Sequence, residues 1–323
     1  MIDKTDTASP EIHVAPSPHV SNMGMTTRGM MRDVLIALVP VTAAAFLFFG
    51  WLAAKQLIIC LAACLAAEAV FTHMRGKQLS LTDLSAIVTG CILGLSLPAT
   101  APWYVGCIGS IVAIGIGKIV FGGLGMNIFN PAMVGRAFVM IAFAGSMAAS
   151  GYILPGESVD VISQATPLTA FKQSGMVMPL ASLVLGSVNG SLGETSVVAC
   201  LLGGIYLCWR RAAAWEIPAG ILTSVLVLAG IVNLVNLTSD WTVLHQMASG
   251  SLLFGAFFIA TDPVTSPLTA RGRWIYGVGI GAVIMLLRLF SGYPEGVMFA
   301  VLLMNALTPL INRWNIPRPF GGA

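Results

Sequence analysis

Charge is what this sequence has least of. Asp, Glu, Lys and Arg make up 9% of its 323 residues, against 57% hydrophobic residues, whereas soluble domains average roughly 25% charged. That deficit excludes a soluble globule and implies a chain that spends most of its length in lipid. The six cysteines, Cys60, Cys64, Cys91, Cys107, Cys200 and Cys208, contain no C-x-x-C pair. Iron–sulfur clusters need closely grouped thiolates, so a cluster held by this chain alone is not expected, and one shared with a partner stays open. His13, His19, His73 and His245 are scattered and give no metal-ligand spacing. The first 21 residues lack the basic start and apolar core of a signal peptide, so no cleavage is expected there. A net charge of +3 says nothing for nucleic acid, and no such partner is expected.

Apolar runs are what remain. Ten stretches are candidate spans: 34–51, 56–74, 83–98, 102–121, 131–150, 195–209, 216–236, 247–261, 274–290 and 296–312. The run MPLASLVLGS, 178–187, is too short to cross and reads as a re-entrant or surface helix. The fold class is therefore an all-α polytopic membrane protein of about ten transmembrane helices. It divides into an N-terminal tail (1–32), a first membrane unit (33–150), a loop (151–194), a second membrane unit (195–313) and a C-terminal tail (314–323).

The basic residues orient this map. With the N-terminus in the cytoplasm, Lys4, Arg28, Arg32, Arg75, Lys77, Arg210, Arg211, Arg271, Arg273, Arg313 and Arg318 fall inside, and only Lys55 and Lys172 outside. The positive-inside rule demands that asymmetry. Both termini are expected to be cytoplasmic and the loop 151–194 to face outward. Two stretches also look related, LPATAPWYVGCIGSIVAIGIGKIVFGG from Leu97 and TDPVTSPLTARGRWIYGVGIGAVIMLLRLFSG from Thr261. Each has proline–threonine–proline punctuation, then Trp and Tyr, a GIG, a basic residue (Lys118 or Arg288) and a small-residue turn. Lying in opposite orientations, they predict two inverted five-helix repeats. Chance recurrence of glycine-rich helices is the plainer alternative.

The outward loop carries the polar segment DVISQATPLTAFK, Asp160 to Lys172. A bare threonine hydroxyl is a poor nucleophile without a base. Physics alone favours a turn in which Ser163 and Thr166 satisfy loop backbone and Pro167 ends the segment. An acceptor for a dedicated modifying enzyme escapes that objection, because the enzyme supplies the activation.

Asp160, Ser163, Ala165 and Thr166 resemble the flavinylation signature D-x-x-[S/T]-G-A-T, with Gln164 in place of its glycine. SAIVTG (from Ser85), NPAMVGRAF (from Asn130), GETS (from Gly193), ATDPVTSP (from Ala260) and SGYPEGVMFAVLLMNALTPLI (from Ser291) accompany it. In this order and spacing the chain resembles the RnfD family of the Rnf ion-translocating electron transport complexes, from about Ser17 to Arg313. The related NqrB family of the sodium-pumping NADH:quinone reductases is similar but has a longer N-terminal extension. The resemblance implies an electron-transfer subunit of a translocase in a bacterial or archaeal cytoplasmic membrane. Thr166 would carry FMN through a phosphoester on the outer face, and a non-covalent riboflavin would sit toward the cytoplasmic side. Its implied partners are RnfA, RnfB, RnfC, RnfE and especially the flavin-bearing RnfG, together with a flavin transferase. Electron passage would be coupled to Na+ or H+ movement. The rivals are a channel or secondary transporter, and a scaffold for neighbouring redox proteins.

Ionisable groups at membrane depth cost roughly 2.5–3.5 kcal/mol each. Arg136 and Arg288 are therefore candidates for a flavin phosphate or a partner charge, with structural pairing as the alternative. Asp262 and Glu295 are candidates to pair with them or to help bind a cation. Glu68, Asp83 and Lys118 either function at depth or sit at span ends and snorkel.

Overall fold

The protein's computed structural model describes residues 26–76, 81–148, 166–235, 240–291 and 295–315, with the backbone of 151–152 and 162–163. In chain order its helices are α1 (Thr27–Phe49), α2 (Trp51–Met74), α3 (Ser85–Ser96), α4 (Trp103–Ile114), α5 (Pro131–Ala142), α6 (Ala144–Ala148), α7 (Pro167–Ser174), α8 (Leu180–Leu185), α9 (Val197–Trp209), α10 (Glu216–Val235), α11 (Val243–Ala248), α12 (Leu252–Phe254), α13 (Ala270–Phe290) and α14 (Val297–Trp314). α4 and α12 run directly into π-helical turns, Gly115–Ile119 and Gly255–Ile259. Two pairs of residues join antiparallel, Gly151 with Ser163 and Tyr152 with Ile162.

Among the described residues five helices are long and apolar enough to cross a membrane: α1, α2, α10, α13 and α14. The other five expected spans contain shorter helices, for identifiable reasons. The stretch 131–150 breaks at Phe143, whose φ of −129° leaves the helical region. The stretch 247–261 is split by Ser249 and Gly250, the latter at φ +67°. α1 begins at Thr27, seven residues before the expected start, because Thr26 accepts the Gly29 N–H at 3.1 Å and caps it. Large apolar side chains such as Leu47, Ile141, Leu234 and Phe290 point outward from the bundle. Lipid, unlike water, imposes no penalty on that arrangement.

Packing divides the bundle into two groups. α2 packs on α3 and α4, and α4 on α5; α10 packs on α13, and α13 on α14. α1 against α9 and α5 against α14 join the groups. Small residues set the close crossing of α10 and α13. A Cβ on Gly277 or Gly281 of α13 would lie 2.5 or 2.7 Å from the carbonyl oxygens of Ile217 and Ile221 on α10. Between helices in lipid, packing is the main attraction, and small residues provide it by letting backbones approach.

A Gly281→Leu substitution is expected to force α10 and α13 apart and cost about 1–3 kcal/mol or more. A lowered thermal midpoint of the detergent-solubilised protein checks this, and an unchanged midpoint would contradict the close crossing.

Candidate functional site

Thr166 is the N-cap of α7, with Pro167 at the first helical position. The segment is therefore not a turn ended by proline. Proline is pre-organised for a helix start, where its missing N–H is no loss, so Thr-Pro here opens a helix. Thr166 is half-buried. Its Oγ1 lies 2.9 Å from Thr169 Oγ1 and accepts the Thr169 N–H at 3.4 Å. Leu168, 3% exposed, anchors the first turn. Phe171 stacks on Trp241 with centroids 4.4 Å apart, and Lys172 Nζ donates to the Ser291 carbonyl at 2.9 Å. Capping alone accounts for a threonine here; its neighbours say more.

Thr166, Leu168, Glu194, Gly250 and Glu295 line one recess. At its polar wall Arg136, on α5, donates from one nitrogen, Nη2, to Glu194 at 3.3 Å and to Glu295 at 3.2 Å. Ser191 Oγ donates to Glu194, and Ser251 Oγ donates to Glu295 at 3.3 Å. Burial, followed by the adjacent Glu194 carboxylate, pushes the Glu295 carboxyl well above the ordinary carboxylate range. Burial acts the same way on Glu194, but the hydrogen bond from Glu295, the Arg136 charge and Ser191 together hold it below that range. Two carboxylates against one guanidinium nitrogen do not ionise together cheaply, which favours one shared proton on the pair.

Arg288, on α13, is 3% exposed and donates to the Gln246 carbonyl at 2.5 Å, Gln246 Oε1 at 3.2 Å and the Ser249 carbonyl at 2.8 Å. A Cβ on Gly250 would meet Leu168, Arg288 and Glu295 together, so the first turn of α7 and both charged side chains converge there. Lys172 has its pKa lowered, by burial and then by the Arg288 charge. The Lys172 and Arg288 charges thus lie close enough to act on each other, with Lys172 in the last turn of α7, the end away from Thr166. Of the other motif positions, Asp160, Gln164 and Ala165 lie outside the described residues, as does the Ser163 side chain. Sequence reasoning missed Thr169, although T-P-L-T spells an N-cap, Pro and a polar residue at N3, the signature of a capped start.

A second recess lies at the other end of α9, which opens beside Glu194 and closes near Leu207. Thirteen residues at about 1.5 Å each separate the two by roughly 20 Å. It has a cavity volume of about 70 Å³ and is walled by Ser85, Thr89, Lys118, Asn127, Asn130 and Asp262 among apolar side chains. Both π-helical turns border it, through Lys118 and Phe258; such turns gather at functional sites. Lys118 and Glu68 do not snorkel. They are 2% and 0% exposed and paired at 2.6 Å. Lys118 also donates to Ser85 Oγ at 2.5 Å, and Ser85 Oγ to Asp83 at 2.6 Å. Asn130 caps α5 and donates to the Ile259 carbonyl at 3.2 Å. Asp262 pairs with neither arginine: it accepts from Val264 N at 3.3 Å and Thr265 Oγ1 at 3.2 Å. Burial pushes its carboxyl up to about 6.

Chemically, one end offers a capped hydroxyl at the edge of a recess whose wall holds a carboxyl pair. The other offers a largely apolar hollow with a few polar groups in its wall. A family model described as NQR2, RnfD, RnfE family matches residues 13–321. The chain is 39% identical over 312 residues to the D subunit of the Na(+)-translocating ferredoxin:NAD(+) oxidoreductase complex of Acetobacterium woodii, covering 95% of each chain. It is 40% identical to the D subunit of the ion-translocating oxidoreductase complex of Halorhodospira halophila, over 90% of this chain and 91% of that protein. It is 38% identical to the D subunit of the proton-translocating ferredoxin:NAD(+) oxidoreductase complex of Clostridium ljungdahlii, over 95% of this chain and 96% of that one.

The carboxyl pair makes a signed prediction. Glu295, with its folded-state pKa raised, keeps its proton at pH values where the unfolded chain has lost it. Stability is therefore intact below the ordinary carboxylate range and falls as pH rises toward the raised value. Glu295→Gln should remove that fall, so its thermal midpoint relative to the native protein should climb from pH 5 to pH 8. A constant difference across that range would contradict the shared proton.

Proposed function

Because the chain belongs to the NQR2, RnfD, RnfE family, we propose that it works as the D-type membrane subunit of an ion-translocating ferredoxin:NAD oxidoreductase complex, with FMN esterified to Thr166. FMN supplies one- and two-electron chemistry, which suits a carrier between one-electron and two-electron partners. The observation that carries the assignment is the setting of Thr166. Its hydroxyl is the N-cap of a helix at the edge of a recess, and Leu168 of that helix's first turn meets the Gly250 turn that Arg288 also approaches. A helix N-terminus is a donor site for a phosphate, and positive charge in the surrounding wall adds to its field. In this reading Arg288 supplies that charge, and Arg136 serves mainly to hold Glu194 and Glu295. The relatives contain proteins named for sodium and for proton translocation at nearly equal identity, so overall similarity does not select the ion.

The second recess is assigned to a non-covalent riboflavin. Asn127, Asn130, Thr89 and Ser85 would meet the polar edge of the ring, and the apolar wall would meet its faces. The pairing of α1 with α9 and of α5 with α14, which joins one helix group to the other, supports two inverted five-helix repeats. Cytoplasmic termini and the charge asymmetry then give an outward-facing Thr166 and a riboflavin near the cytoplasmic side. The other Rnf proteins, above all the flavin-bearing RnfG, and a flavin transferase are the partners of this reading.

The purified complex, denatured in SDS, should show flavin fluorescence on this chain, lost in Thr166→Val; fluorescence that persists in the variant would contradict the attachment site. Thr89→Leu, which fills the second recess, should release the non-covalent flavin while leaving that band unchanged. Full retention of acid-extractable flavin would remove the assignment of that recess.

A further inference from the structure

The contacts that Thr166 Oγ1 makes among the described residues both come from Thr169, and one of them is better than the other. The N–H contact, at 3.4 Å, is long for a hydrogen bond; the hydroxyl contact, at 2.9 Å, is well formed. The two side chains sit at the N-cap and N3 positions of α7, three residues apart and so on the same face. We propose that Thr169 is the positioning residue for flavin attachment: its hydroxyl fixes the acceptor oxygen of Thr166 before transfer and holds the ester oxygen after it. This rests on the reading of Thr166 given above.

The chemistry of the step explains why a hydroxyl is needed. A transferase joins Thr166 Oγ1 to the FMN phosphorus of a flavin dinucleotide. The new O–P bond forms, the phosphoanhydride P–O bond breaks, and the nucleoside monophosphate leaves with the anhydride oxygen. The Thr166 hydroxyl proton passes to a base of the transferase. Before the step Thr166 Oγ1 carries a proton and can donate; afterwards it can only accept. A carboxylate partner suits only the first state, whereas a hydroxyl can accept from the free threonine and donate to the ester oxygen.

The side chain at N3 also matters electrostatically. Capping boxes commonly place Glu or Gln there. A glutamate at this position would set a negative charge beside the arriving phosphate; threonine caps without one. Thr166 is β-branched and has few side-chain rotamers. A single well-formed contact is therefore enough to select the one in which Oγ1 faces the helix start.

The test follows FMN incorporation into this chain by intact mass, within the assembled complex, after the transferase is induced. Thr169→Val keeps the shape and loses the hydroxyl; Thr169→Ser keeps the hydroxyl and loses the methyl. The serine variant should acquire FMN within about twofold of the native rate, and the valine variant about tenfold more slowly, the worth of one hydrogen bond. A valine variant labelled at the native rate overturns the proposal. So does a serine variant as slow as valine, which would make the methyl's packing responsible. Should the valine variant fail to assemble, Thr169→Ala removes the same hydroxyl without bulk, and a native rate there is equally fatal. A native chain that gains no FMN at all is a different failure: it removes the reading of Thr166 itself.

Discussion

The arrangement depends most on one nitrogen. Arg136 Nη2, near the middle of α5, holds Glu194 from the segment before α9 and Glu295 from the segment before α14. Three stretches far apart in sequence meet on that guanidinium. Removing one member of a buried charged set leaves the others uncompensated, at a cost of roughly 3–5 kcal/mol. The junction fixes the wall of the recess that Thr166 borders, and the Gly250 turn brings Arg288 and Leu168 to the same wall. The geometry around the capped threonine is thus inherited from a charge network and not from the loop that carries the motif.

The same economy governs the opposite end of α9. Lys118 and Glu68 would be prohibitive alone in an apolar bundle, yet as a pair with Ser85 and Asp83 they are hydrogen-bonded through. The π-helical turn at Gly115–Ile119 carries Lys118 toward the recess. Two hollows separated by the length of α9, each with its own buried ionic group, fit a chain that passes electrons from one end of a bundle to the other. A simple pore would have no use for a capped hydroxyl at the edge of one recess.

Much of this was legible in the sequence because lipid leaves few options. Charge depletion and the apolar runs gave the helices, and the motif residues gave the family. Pairing of Glu295 with Arg136 was among the readings that depth and charge allowed. What the sequence hid was tertiary. Nothing local says that Arg136 takes two carboxylates, or that Asp262, equally flanked by prolines, turns to its own loop instead. Snorkelling was an available reading for Lys118 because a long side chain near a span end reaches water in most helices; here Glu68, fifty residues away, meets it first. The start at Pro167 was legible but overlooked, since proline breaks helices far more visibly than it begins them.

The central claim is that Thr166 carries the flavin. Fragmentation mass spectrometry of the peptide from Ala137 to Lys172, from complex purified out of cells that contain the transferase, tests it most directly. The account predicts an increment of one FMN localised to Thr166. An unmodified peptide, or an increment on any other residue, would contradict it.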